Sequence, residues 1–542
     1  MIQVHRVAAD DRTASPFVRL VREGEAGTLG LSVPHRAEEF EPPASLLESS
    51  ERAAIAMALE RGLAPLEPHV AVLDAARALA EPDACAVVTG QQPGFLASPL
   101  YSLYKALQAL ALAQVLRERF RVPVIALFWN HADDHDVAEV HHTHLVNRNL
   151  DLQKISLPGL SSGRQPFSRI LLDEEKHHLT AVRALLAQML EGSPHAREAV
   201  DLFAPRSGES LARAFTRTMT GLLGPAGLVV LEPDWIRPQM SAQLARIVAQ
   251  DPVSFLQRGA ARMSDRGLTP AIEPSDAAIV FRHEPEGRLA VRGGGDGFRF
   301  DGEQGSRTGT ELAAEIVQDP LSWSPGALLR PIVQDLCLPV AAYVGGWGEL
   351  AYHAELGDLR ARVEAPITPI VPRVSCTLVD PECRLSLAKL GLEIDAVVHA
   401  GLPASAPVPA PDAPPWLARI RQITDAAARD LESMRPGVNE LDPSLLSQLK
   451  RTSDQVRSAG DWLAEKVERV HQNKSGKGRR HIRRLNSWLR PRDELQERVL
   501  GPLPFVARFG EDWPLELAHA MNPLSSDHLV IHLGQDSGGD GS

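Results

Sequence analysis

The chain reads as an α/β protein with a parallel sheet built from βαβ units, interrupted by inserted segments and followed by a helical hairpin or coiled coil. Three observations predict this. Apolar runs at Ala84–Val88 and Val124–Trp129 flank a loop and a long helical pattern, and strand, loop, helix, strand in that order requires parallel strands and a right-handed crossover. A second αβ unit follows at Leu338–Val344, Gly348–Val363 and Ile367–Val371. Beyond residue 415, apolar residues step by three and four, first at Trp416, Ile420, Ile423, Ala427, Leu431 and Met434. After Pro436-Gly437 they resume at Leu445, Leu449, Thr452, Val456, Ala459, Leu463, Val467 and Val470, the seam of paired helices.

Taken in order, Ser45–Ala80 is helical in pattern, and Pro65 and Pro68 split it into two helices. In the first βαβ unit Ser98 is read as N-cap and Pro99 as the first helical residue. Arg117, Arg119 and Arg121 crowd the helix end, and Pro123 stops it. Residues 151–330 read as inserted material: helices at 174–192, 207–223 and 238–258, a strand at 227–231, and a β-meander from Ala278 to Phe300. The Gly cluster at 293–297 is read as a hairpin turn, because no helical pattern follows it as a phosphate loop requires. A third C-terminal helix is expected from Arg480, an apolar strand at Leu529–Leu533, and a disordered Gly/Asp/Ser tail. The resulting division is 1–150 and 331–400 for the core, 151–330 for the inserts, 401–415 for a Pro/Ala linker, 416–500 for the coiled coil and 501–542 for the C-terminal segment.

Composition narrows the function. The 542 residues are 44% hydrophobic with a formal net charge of −12, which argues for a soluble protein and against a general nucleic-acid binder. No run approaches the ~20 apolar residues that span a membrane, and MIQVHRVAADDRT lacks the basic-then-apolar order of a secretory signal. Cys85, Cys337, Cys376 and Cys383 show no C-x-x-C spacing, as in a reduced, cytoplasmic protein.

Candidate chemistry gathers behind the strands. Gly90-Gln-Gln-Pro-Gly94 precedes the helix start at Pro99, where glycines let backbone approach a ligand, Gln91 and Gln92 donate hydrogen bonds, and a helix N-terminus attracts anions. Tyr101 and Lys105 follow on that helix, Lys105 as a partner for phosphate or carboxylate. Directly after VIALFW comes Asn130-His-Ala-Asp-Asp-His-Asp136, then Glu139, His141, His142 and His144. A histidine between carboxylates suits acid–base work. Alternatively, His135, Glu139 and His142 would share one helical face and could hold a divalent metal, as in an amidohydrolase or deacetylase. Arg330, Gln334, Glu349, Tyr352, Arg373 and Ser375 border the later strands, the arginines being suited to bidentate carboxylate or phosphate binding. The basic run 474–492 reads as a nucleotide-phosphate contact or a solvated helix face.

Several of these segments resemble the bacillithiol biosynthesis cysteine-adding enzyme family. They are Val87-Val-Thr-Gly-Gln-Gln-Pro-Gly94, Pro99-Leu-Tyr-Ser-Leu-Tyr-Lys105, Phe128-Trp to Asp133-Asp-His-Asp136, Leu329-Arg-Pro to Gln334-Asp335, Tyr343-Val-Gly-Gly, Gly348-Glu-Leu-Ala-Tyr352, Pro372-Arg-Val-Ser375 and Leu495-Gln-Glu-Arg498. The matches run in order across nearly the whole chain. The family usually carries Glu where this chain has Asp133. The resemblance implies a Rossmann-like, nucleotidyltransferase-like core and a coiled coil that supports a homodimer. It also implies a ligase that joins cysteine to glucosaminyl malate, with ATP as the expected co-substrate. His135, with Asp134 and Asp136, is then the expected base for the attacking amine. Gly90, Gln91, Gln92, Gly94, Tyr101, Lys105, Trp129, Arg330, Gln334, Glu349, Tyr352, Arg373 and Ser375 are expected at the substrate and nucleotide. A non-catalytic coiled-coil scaffold is the remaining alternative.

Overall fold

The two apolar runs pair as parallel neighbours, β1 (Cys85–Gln91) and β2 (Val124–Asn130), joined through helix α1 (Leu100–Phe120). The structure, a computed structural model, describes residues 2–8, 14–44, 46–160, 163–275, 277–294, 297–402 and 415–534, without the side chains of 415–417, 465–466 and 468–479. The expected linker at 403–414, the tail beyond 534 and the side chains of Lys474, Lys477 and Arg479 lie outside the described residues. Every residue of β1 up to Gly90 and all of β2 are buried, as strands covered on both faces require.

After β2 the chain makes its insertion, which includes α2 (Leu211–Leu223), before returning as β3 (Val229–Leu231) and α3 (Arg237–Val248). Further on come α4 (Arg330–Cys337), β4 (Val340–Gly345), α5 (Trp347–Ala354) and β5 (Ile370–Pro372). The five strands form one sheet in the order β5-β4-β1-β2-β3, and all neighbours are parallel. From β1 the chain moves one way to β2 and β3, and later the other way to β4 and β5. The strand order therefore reverses beside β1, the place where open α/β sheets gather ligands at their carboxyl ends.

Helix α1 starts one residue later than expected, with Pro99 as its N-cap. Tertiary contacts set this: the Leu100 N–H donates to the Leu500 carbonyl (2.8 Å), and the Ser98 hydroxyl accepts from Thr143 Oγ1 (2.8 Å). The helix is buried along most of its circumference, Lys105 and Gln108 included. The 45–80 pattern gives Ser49–Leu63 and Val70–Ala78, parted at the prolines. The patterns at 174–192, 238–258 and 348–363 each break into two helices.

The β-meander forms as expected. Ala278–Glu284, Gly287–Gly294 and Gly297–Phe300 pair antiparallel, and Trp323–Pro325 adds a fourth strand beside the first. The terminal apolar strand, His528–His532, lies between Gln3–Val7 and Ser375–Val379 in a separate three-stranded sheet. No helix among the described residues is long and apolar enough to cross a membrane.

The chain divides into two compact units. One comprises the chain up to Asp380 and again from Glu494; the other is Pro381–Asp493. The second consists of Pro381–Leu390, Ile394–Ala400, α6 (Pro415–Ser433), a short helix Arg435–Leu441 and α7 (Leu446–Trp488). No separate helix begins at Arg480, because α7 runs unbroken for 43 residues, with no proline inside it. The α6–α7 seam is also out of phase with the expectation. Small residues Ala428, Ser453 and Ala464 are fully buried there, whereas Ile423 and Trp462 are 59% exposed.

Candidate active site

The tip of β1 is held from below by Lys105. Its ammonium donates to the Gly90 carbonyl (2.7 Å) and Gln91 Oε1 (3.0 Å), and forms an ion pair with Glu349 Oε2. An ammonium has three N–H groups, and all three are engaged, so the expected contact to a ligand anion does not form here. Burial brings Lys105 below the ordinary lysine value. For Glu349, burial is outweighed by Lys105, the Tyr343 hydroxyl (2.6 Å to Oε1) and the Gly346 N–H (2.8 Å), which hold its carboxylate below the usual range. Lys105 thus pins the β1 tip to the first turn of α5.

The loop after β2 lies against the same tip. Its first backbone N–H, at His131, donates to the Gln91 carbonyl (2.9 Å), and Gln92 Nε2 donates to Asp134 Oδ2 (2.7 Å). The loops near 90 and 131 thus meet in one cleft. His131 packs on Gly90, where a Cβ would sit 2.7 Å from its Nε2, so residue 90 must be glycine for the ring to lie there. That Nε2 is shielded from solvent and has no hydrogen-bond partner among the described residues. Burial, with Arg330 and Lys105 nearby, keeps His131 well below the ordinary histidine value and therefore neutral.

The acidic residues of the loop have separate partners. Arg237 of α3 grips both oxygens of Asp133, with Nη1 2.9 Å from Oδ2. Asp136 caps the single turn Val137–Val140 by accepting from Ala138 N (3.1 Å). The next residues form the strand His142–Val146, so His135, Glu139 and His142 do not lie on one helical face as the metal reading requires. Among the described residues, no group of three or more His, Cys, Asp or Glu side chains is arranged to hold a metal.

His135 meets an arginine rather than a carboxylate. Arg288, from the inserted hairpin, places Nη1 3.2 Å from His135 Nδ1, whereas Asp134 Oδ1 is 3.6 Å from that nitrogen. A guanidinium only donates, so Nδ1 must be the acceptor. Burial and Arg288 bring His135 below the ordinary histidine value despite Asp134 and Asp136. The two flanking carboxylates therefore do not outweigh burial and Arg288 at this ring. Arg288 itself stacks on Phe281, 3.6 Å from the ring centroid, reaches Ser324 Oγ (3.4 Å), and is brought down to about 10 by burial.

His131, Asp133, Asp134, Phe281 and Arg288 line a cavity of about 490 Å³ beyond the carboxyl ends of β1 and β2, and His135 lies beside this wall rather than in it. Gln91, Gln92, Trp129, Arg330, Glu349 and Tyr352 are in its wall, as expected from sequence. Arg330 donates to the Tyr352 hydroxyl (2.8 Å) and to Gln334 Oε1 (3.3 Å), so Gln334 supports it from behind. Other expected residues are placed elsewhere. Arg373 pairs with Glu497 (2.7 Å) and lies over the Tyr101 ring, and Ser375 bonds His528 in the second sheet (2.9 Å). Gly94 allows close backbone packing on Ser98. The start of α1 is not an anion site, since Leu100 is buried and its N–H is taken by Leu500.

Comparison with known proteins matches residues 31–374 to the bacillithiol biosynthesis BshC N-terminal Rossmann-like domain and residues 376–533 to the BshC C-terminal coiled-coil domain. The chain belongs to the BshC family. Among similar proteins, one from Thermus thermophilus is 32% identical over 448 residues, covering 80% of this chain and 86% of that protein. One from Symbiobacterium thermophilum is 29% identical over 545 residues, covering 92% and 94%, and one from Solibacter usitatus is 29% identical over 466 residues, covering 84% and 85%. All three bear the name "Putative cysteine ligase BshC".

In this BshC-family chain the residues that sequence reading missed are Arg237, Arg288 and His131. Only His131 had a local signal, its place directly after a buried strand. Arg237 comes from the start of α3 and Arg288 from the inserted hairpin, 104 and 153 residues from the side chains they hold.

Proposed function

We propose that this chain is a cysteine ligase that forms bacillithiol by joining the cysteine carboxyl group to the amine of glucosaminyl malate. An amine and a free carboxylate form a salt, so one carboxylate oxygen must first become a leaving group. ATP is the proposed activator: the oxygen departs on phosphorus, the C–N bond forms as the C–O bond breaks, and the nitrogen loses a proton. The observation that carries the reading is the cavity at the sheet's carboxyl ends, with two guanidinium groups in its wall.

The residues present fit an adenine nucleotide in charge and size. The volume is within the ~300–1,000 Å³ of small-molecule sites. Arg288 and Arg330 would meet anionic groups, Gln91 and Gln92 would offer amide donors, and Met240 and Phe281 supply apolar wall. Among the cations there, Arg330 has neutral hydrogen-bond partners, a phenol and a carboxamide, which leaves its charge for a ligand to balance. The proposed homodimer would use the second unit, where Ile423 and Trp462 are exposed.

Mass spectrometry of low-molecular-weight thiols in cells lacking this gene tests the reading. Glucosaminyl malate accumulates and bacillithiol disappears if it is right. Unchanged thiols, in a strain with no second copy of the gene, contradict it.

A further inference from the structure

The geometry points to His135 as a neutral hydrogen-bond donor, presenting Nε2–H to a negatively charged substrate oxygen at the cavity mouth, with Arg288 as the positioning residue that fixes this tautomer. The inference rests on the ligase reading and replaces the proton-accepting role expected of this histidine.

The argument starts from donor counts. Arg288 has N–H groups and no acceptor, so at 3.2 Å it must donate to His135 Nδ1. A proton on Nδ1 would set two N–H groups against each other. The alternative partner for such a proton, Asp134 Oδ1, lies at 3.6 Å, beyond a hydrogen bond, and already accepts from the His135 backbone N–H (2.7 Å). In the neutral ring the single proton is therefore on Nε2.

Arg288 is not free to turn away. Its guanidinium is stacked on Phe281 and reaches Ser324 Oγ, and its side chain is only 5% exposed. Asp134, Phe281 and Arg288, which surround the imidazole, are all in the cavity wall. His135 is not itself in that wall but beside it, with its side chain 31% exposed. A fixed N–H beside a ligand cavity is what stabilises charge on an acyl or phosphoryl oxygen as it develops. A neutral imidazole serves here because its donor needs no protonation to be present.

Two measurements test this. The first is ¹⁵N NMR of the full chain with labelled histidine, His135 being assigned by its loss in His135→Gln. An unprotonated Nδ1 and a protonated Nε2 are expected at pH 7.5, with Arg288→Met blurring the two into exchange. Protonated Nδ1 in the wild type overturns the proposal. The second is bacillithiol formation in cells complemented with variants, protein level being checked in each. His135→Ala is expected to fall about 100-fold, the typical cost of one lost oxyanion donor. His135→Gln, whose amide N–H₂ reaches the Nε2 position, should stay within about tenfold of wild type. Equal loss in both variants overturns the donor role. If the wild-type gene itself forms no bacillithiol, the ligase reading fails, while the tautomer measurement still stands on its own.

Discussion

Lys105 is almost completely buried, and its three donors meet three acceptors. Replacing it with methionine leaves Glu349 as an unpaired carboxylate in the interior. Removing one member of a buried pair typically costs about 3–5 kcal/mol, so Lys105→Met is expected to lower unfolding stability by that amount in chemical denaturation. A variant of full stability with weakened nucleotide binding would instead make Lys105 a ligand contact. Glu355 gives a pH prediction. It is fully buried, Oε1 accepts from Ala271 N (2.6 Å), Oε2 has no partner among the described residues, and burial raises it to about 7. A carboxyl group raised on folding contributes stability that is complete below its unfolded value and is lost as pH rises through the folded one. Between about pH 4.5 and 7 the wild type should therefore lose about 1–3 kcal/mol that Glu355→Gln does not lose, read as the difference between their denaturation curves. Gly90→Ala pushes a methyl group onto His131, and overpacking of this kind costs about 1–3 kcal/mol. At this scale the sequence was partly legible. Gln91, Gln92 and Arg330 reached the cavity because glycine turns and strand ends mark ligand loops, but nothing local distinguishes a lysine that meets a ligand from one that pins a loop.

The elements were easier to read than their ends. β1 and β2 are continuous apolar runs because both faces of a parallel strand are covered, and the helix between them is long and bounded by prolines. The inserted hairpin was also legible as strands. Its task was not, because Arg288 occupies a strand pattern that reads equally well as a solvated edge. The α6–α7 seam was misplaced for a different reason: large apolar residues were taken for the buried positions, whereas the helices meet along Ala428, Ser453 and Ala464. Ala464→Leu should therefore disrupt the hairpin, by about 1–3 kcal/mol, as a loss of helical circular dichroism at lower temperature in the full chain. Little change would place the packing face on Trp462 instead.

In the whole molecule, the sheet assembles the site from parts far apart in sequence. The tip of β1, the loop after β2, the inserted hairpin and the first turns of α4 and α5 all contribute to one cavity. Its position was legible because the loops after two parallel strands lie at their carboxyl ends; that β1 has neighbours from both halves of the core came from the structure. The return of the chain from Glu494 to complete the first unit was not legible, because Gln496 and Glu497 bond to backbone more than a hundred residues earlier. Incubating purified chain with cysteine, ATP and glucosaminyl malate, and following bacillithiol by mass spectrometry, tests the central claim. The wild type is expected to form the product, and Arg330→Met, folded and dimeric or monomeric as the wild type is, at least 100-fold less, in line with a lost charge-stabilising contact of about 2.7–4 kcal/mol. Undiminished synthesis by a folded Arg330→Met would mean that the amide bond is made somewhere other than this cavity.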